Sequence, residues 1–231
     1  MGASAAPGKY TARREARGDV TDTAPRLDAW AFFDDSKPTP LGLTVLVDTF
    51  AARTALDTGL LPLVVGLGYE DTGPKLPVRP WTFELSWDGG ATRGLSFEEL
   101  RGVEGWQSAL NRHQRLLAKR PRPYDGSTAT LIDVSFYPDP PMSTWRSEDA
   151  KLSPGAAFAD LLYFELPEGV DPWTTLFTIT HVPSAPAPEG VTARPLPPST
   201  PSGATGSAAF RIEPDTEVHQ RAFRHARKAR K

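Results

Sequence analysis

Apolar residues recur along this chain with two different periods. Trp81, Phe83, Leu85 and Trp87 alternate with Thr82, Glu84 and Ser86, the period of two expected of a strand with one face in a core. Leu43–Phe50 (LTVLVDTF) and Leu60–Glu70 (LLPLVVGLGYE) are denser aliphatic runs, and Thr130–Pro138, Ala157–Pro167 and Thr174–Val182 are each ended by proline, which stops a strand by removing a ladder donor. Asp88-Gly89-Gly90 supplies residues that tolerate positive φ, predicting a hairpin whose return segment covers Ala91–Leu95. Short strands at this density predict an all-β fold, an antiparallel sandwich.

One stretch follows the helical period instead. Ser96-Phe97-Glu98-Glu99 has the form of a capping box, in which the Ser side chain accepts an amide at the third helical position while Glu99 reaches back to the Ser96 N–H. After Gly102 and Gly105, Trp106, Leu110, His113 and Leu117 recur on one helical face, with Arg112, Arg115, Lys119 and Arg120 around the remainder. The pattern predicts a helical insert over 96–120, ending before Pro121 and packed by its apolar stripe across one end of the sandwich.

Outside these segments the composition changes. Residues 1–25 are small, polar and Arg-rich without periodicity and read as an N-terminal arm. Residues 183–207 are dominated by Pro, Ser, Ala and Gly, a linker of polyproline character, and 208–231 form a basic tail with six Lys or Arg between Arg221 and Lys231. The folded domain is therefore expected over 26–182. With 26 Lys+Arg against 28 Asp+Glu the whole chain is near neutral, so bulk charge names no partner. There are no cysteines, which excludes disulfides, thiol nucleophiles and cysteine-ligated metal. Met1–Ala24 has no apolar run of the signal-peptide type, and no stretch approaches the length of a membrane span. With Met1 as the native start this places the protein on the cytoplasmic side, the periplasm or cell envelope being the alternative.

Three stretches resemble bacterial immunoglobulin-like β-sandwich domains, a group often of unknown function and often found in secreted or lipid-anchored proteins. The first is Leu61–Leu67 followed by Trp81–Leu85 and the Asp88-Gly89-Gly90 turn. The second is the helix start at Ser96–Leu100, and the third is Leu152-Ser153-Pro154-Gly155 leading into Leu161–Pro167. The resemblance covers roughly residues 60–182 and implies an immunoglobulin-like antiparallel β-sandwich acting in adhesion, binding or assembly, with no catalytic residues to carry over. The inter-sheet disulfide of antibody domains is excluded by the absence of cysteine.

Candidate chemistry is sparse. The four histidines, His113, His181, His219 and His225, lack the spacing that brings ligands together, apart from the last two in the basic tail; His113 reads as a partly buried helix residue and His181 as a strand end. Asp34/Asp35 and Glu98/Glu99 are adjacent pairs, which strand geometry sends to opposite faces and a helix start uses to oppose its dipole. Val65-Gly66-Leu67-Gly68-Tyr69 lacks the third glycine and the helix of a phosphate loop, and no Gly-x-Ser-x-Gly elbow is present. No catalytic residue, metal or cofactor is assigned.

Tryptophans outside the patterned strands are the better lead. Trp81, Trp87 and Trp106 read as core, whereas Trp145 and Trp173 sit in Pro-bounded turns, where a large ring marks a contact surface if it does not fold back over a sandwich end. The candidate partner-binding residues are Trp145, Arg146 and Trp173, with Arg221, Arg224, Arg227, Lys228, Arg230 and Lys231 of the tail. The expected function is a non-catalytic binding or assembly subunit contacting other chains of a larger complex. A hydrolase or sugar-active enzyme on the same sandwich is the competing expectation. For the tail, an anionic membrane surface is a further candidate partner, and nucleic acid is disfavoured because no recognition fold accompanies the charge.

Overall fold

A computed structural model of the chain describes residues 10–13, 29–34, 43–54, 59–69, 75–118, 129–132, 134–138, 150–191 and 206–212. They form a mainly β structure. One sheet contains, in spatial order, β1 (Tyr10–Arg13), β2 (Ala29–Asp34), β3 (Leu43–Asp48), β4 (Leu60–Tyr69), β10 (Ala156–Glu165) and β8 (Thr130–Leu131). A second contains β12 (Gly206–Phe210), β11 (Phe177–His181), β6 (Phe83–Trp87) and β7 (Gly90–Arg93), and β5 (Leu76–Val78) pairs with β9 (Ala150–Leu152). Every pairing described is antiparallel except that of β8 with β10.

The centre of the first sheet is β4 against β10, in continuous register from Leu60↔Glu165 to Tyr69↔Ala156. All ten residues of β4 are buried, so both of its faces are covered, and a strand in that position reads as an unbroken apolar run. Parity separates the two faces. Phe158 meets Phe83 of β6 edge-on at 6.2 Å between ring centroids, joining the two sheets. Tyr163 and its register partner Pro62 lie on the other face, toward α3 (Trp106–Leu117), whose His113 reaches the Tyr163 hydroxyl at 2.7 Å; α1 (Phe50–Thr54) also packs on β4. In the second sheet Phe83, Leu85, Phe177 and Ile179 are buried, while Glu84, Ser86, Thr178 and Thr180 are exposed or half-exposed, the alternation of a sheet solvated on one side.

Local chemistry sets the ends of these elements. Ser96 caps α2 (Phe97–Gly102), accepting from the Glu99 amide, and Glu99 accepts from the Ser96 N–H at 2.9 Å. Two residues, Asp88 and Gly89, turn β6 into β7, with Gly89 at φ 99°. A Cβ at Gly90 would come within 2.9 Å of the Trp87 ring, so a larger residue there would have to displace that ring. Beyond β7, Gly94 bridges to Phe164 and Leu95 donates its amide to the Tyr163 carbonyl, tying the second sheet to β10.

The structure departs from the sequence pattern in several places. The alternation over Trp81–Trp87 is a strand only from Phe83. Pro80–Thr82 form a 3-10 turn, because Pro80 has its φ preset for a helical first position and the Thr82 hydroxyl, donating to the Arg79 carbonyl at 2.7 Å, closes it. Of Thr130–Pro138, only Thr130–Leu131 form a strand among the described residues, and residues 134–138 are irregular and held by side chains. The Asp160 carboxylate accepts the Phe136 amide at 2.7 Å, and the Tyr137 hydroxyl donates to the Leu95 carbonyl while accepting from the Tyr163 amide. Tyr10–Arg13, inside the stretch read as an arm, pairs with β2. Beyond Val182, β12 pairs with β11 and Phe210 and Ile212 are buried, so the sheet continues past the composition-based boundary; Gly-Ser-Ala-Ala-Phe has too few large apolar residues to announce a strand on its own.

Candidate functional site

Two places combine polar chemistry with defined geometry, one buried and one open. In the buried one, His113 Nδ1 and the Tyr163 hydroxyl lie 2.7 Å apart across the helix–sheet interface, with ring centroids 5.6 Å apart. Burial, assisted by the neighbouring Arg112 charge, pushes the His113 pKa down to about 4. Burial likewise drives the Tyr163 hydroxyl well above its ordinary range, with Arg112 opposing and Asp160 reinforcing the shift. Both groups are therefore neutral across the physiological range and share a neutral hydrogen bond. His113 is 1% exposed, more enclosed than a partly buried helix residue. Its Nε2 has no hydrogen-bond partner among the described residues. The pair acts as a polar pin between α3 and β10. His181 occupies the end of β11, fully buried, its ring centroid 5.0 Å from that of Phe83. Burial lowers its pKa to about 4, opposed by a hydrogen bond with the Pro77 backbone.

The open site is a groove of about 660 Å³ at the β6–β7 turn end of the second sheet. Ser86, Trp87 and Asp88 form one wall, and Gly169, Val170, Asp171, Thr174, Thr175, Leu176 and Thr178 form the other. The second wall is shaped by Asp171. Its carboxylate accepts the Trp173 amide and the Thr174 hydroxyl, each at 3.0 Å, and its carbonyl accepts the Thr175 hydroxyl at 2.6 Å. An Asp followed by Pro and a Thr pair folds back on its own backbone in this way. Trp87 is half-buried, its ring edge-on to Phe177 with centroids 6.2 Å apart. Leu176 is 51% exposed. The groove therefore offers apolar surface from Trp87, Val170 and Leu176, hydroxyls from Ser86 and the threonines, and two carboxylates. Such a mixture suits a contact that buries area and takes donors or positive charge.

Of the residues proposed from sequence, Trp173 is in the groove-forming loop, but its ring is half-buried against the hydrophobic core rather than standing free. Leu176 projects from that loop in its place. Trp145, Arg146, Arg221, Arg224, Arg227, Lys228, Arg230 and Lys231 lie outside the described residues, as do His219 and His225. Glu98 and Glu99 are engaged separately. Glu98 meets Arg101 at 3.1 Å, whereas Glu99 takes both nitrogens of Arg93 at 2.7 and 3.0 Å. Burial acts to raise the Glu99 pKa, but Arg93 with the Ser96 amide and hydroxyl holds it below the usual carboxylate value. Gly66 and Gly68 are interior residues of β4, where no phosphate loop could form. Sequence reasoning missed Asp88, Asp171 and Leu176; the Asp-Pro-Trp-Thr-Thr string was the available signal for the middle one. Among the described residues no group of three or more metal-ligating side chains converges, and no helix is long and apolar enough to cross a membrane.

No family model, no curated protein and no solved structure matches this chain.

Proposed function

We propose that the protein is a non-catalytic binding or assembly subunit, an immunoglobulin-like β-sandwich that contacts other protein chains through the groove at the β6–β7 turn. The observation that carries this reading is the groove itself. It sets the half-exposed Leu176 and the Trp87 ring beside hydroxyls and carboxylates on a loop stiffened by Asp171. A rigid rim with an apolar anchor and polar surroundings loses little entropy on binding. Two facing sheets around one apolar cluster support the immunoglobulin-like assignment.

The test is affinity purification of the full chain from its native source, wild type against Leu176→Glu, with circular dichroism and melting temperature as controls for folding. A protein partner recovered in stoichiometric amount with wild type and lost from an equally folded Leu176→Glu is the expected result. A solitary monomer in both preparations, or a partner kept by the variant, overturns the proposal.

A further inference from the structure

The groove lies where the described chain leaves the second sheet. Antiparallel pairing sets Phe210 opposite Phe177, so continuing that register carries residues 211 and 212 past Leu176 and Thr175, both of which line the groove. Ile212, two residues beyond the end of β12, is still buried. The charge there is mainly acidic. Among the described residues the lining carries Asp88 and Asp171 and no Lys, Arg or His; the exposed Glu168 adjoins the lining residue Gly169, and the exposed Arg211 follows Phe210 beside the rim.

The end of the chain has the opposite charge. Residues 213–231 lie outside the described ones, and residues 221–231 contain Arg221, Arg224, Arg227, Lys228, Arg230 and Lys231 without an acidic residue. Arg221 is nine residues beyond Ile212, a tether that spans up to about 30 Å at full extension. That reach exceeds the width of a groove of about 660 Å³.

We propose that this groove is the docking site of the chain's own basic segment, residues 221–231. Asp88 and Asp171 receive its guanidinium or ammonium groups, and the Trp87 ring adds cation–π attraction to a cation seated beside it. Two partly solvated carboxylates attract weakly on their own. A short covalent tether supplies an effective concentration in the millimolar range, which favours the same chain's segment over a free basic peptide or that of a second copy. The inference rests on reading the groove as a contact surface and adds its regulation: a protein partner must displace the segment.

The absence of cysteine provides a direct test. A nitroxide attached to full-length Ala229→Cys is the only label on the chain, and its broadening of backbone amide signals reports proximity without any partner present. At low ionic strength the amides of Asp88, Gly89, Asp171, Trp173, Thr174 and Thr175 are expected to lose most of their intensity relative to the reduced label. They recover at high salt and in Asp88→Lys, whose remaining spectrum must overlay that of the parent. A mixture of isotope-labelled protein without nitroxide and nitroxide-labelled protein without isotope shows no broadening. Intact groove signals in the singly labelled chain overturn the proposal, as does broadening that survives Asp88→Lys. Broadening confined to the mixture overturns it in favour of a second copy. Failure here leaves partner binding by the groove standing, since that is read by Leu176→Glu.

Discussion

Strands β4 and β6 lie in facing sheets around the same core, yet they bury their residues differently. All ten positions of β4 are enclosed, because the second sheet covers one face and α1 and α3 the other. In β6, Phe83 and Leu85 are buried while Glu84 is exposed and Ser86 half-exposed. Aliphatic density marks the strand that other elements cover twice, and alternation marks the strand with a solvated face. The comparison also locates function, because the open groove sits at the end of the sheet that has a free face and the buried histidine pin sits in the one that does not.

The largest effects come from placing charge on each face. Val65 lies toward the second sheet and Val64 toward the helices, at 0% and 6% exposure. Val65→Asp, Val64→Asp and Leu85→Asp are each expected to cost more than about 4 kcal/mol, since each buries an unpaired carboxylate, whereas Ser86→Asp stays within about 0.5 kcal/mol. Urea denaturation reads all four. A tolerated Val64→Asp would mean that the helices do not seal the second face of β4.

Acid sharpens the comparison, because each layer holds one buried neutral histidine. An unfolded histidine titrates near its ordinary value, while His113 and His181 in the fold resist protonation down to about pH 4. Above the unfolded pKa neither state is protonated and stability is unaffected. Below it the unfolded chain takes up protons that the fold refuses, so stability falls with falling pH and levels off near pH 4, each histidine contributing a loss of about 3 kcal/mol. Thermal melts across this range should show a shallower decline for His181→Phe than for wild type. Parallel declines would mean that His181 is not held neutral.

A smaller loss is expected at the seam between the sheets. The Tyr137 hydroxyl is buried and bonds both the Leu95 carbonyl and the Tyr163 amide, so Tyr137→Phe strands two backbone groups and should cost about 1–3 kcal/mol. Equal amide exchange at Tyr163 in variant and parent would show that the ladder there does not depend on the hydroxyl.

The main strands, the hairpin at Asp88-Gly89, the Ser96/Glu99 capping box and the apolar stripe of α3 arise from residues within one turn or one strand of each other, and local sequence determines them for that reason. Side-chain parity and capping act over a few residues and need no distant partner. The 3-10 turn at Pro80 was likewise written locally but hidden by an alternation that fitted a strand equally well. Tertiary structure decided the rest. Tyr163 meets His113 across 50 residues, Phe136 meets Asp160 across 24, and β12 is a strand because β11 offers it an edge. The groove belongs to this second class, its walls joined only when Ser86 pairs with Thr178. Contacts of that separation are selected by the mutual burial of whole elements, a property of the assembled core that no window of sequence contains.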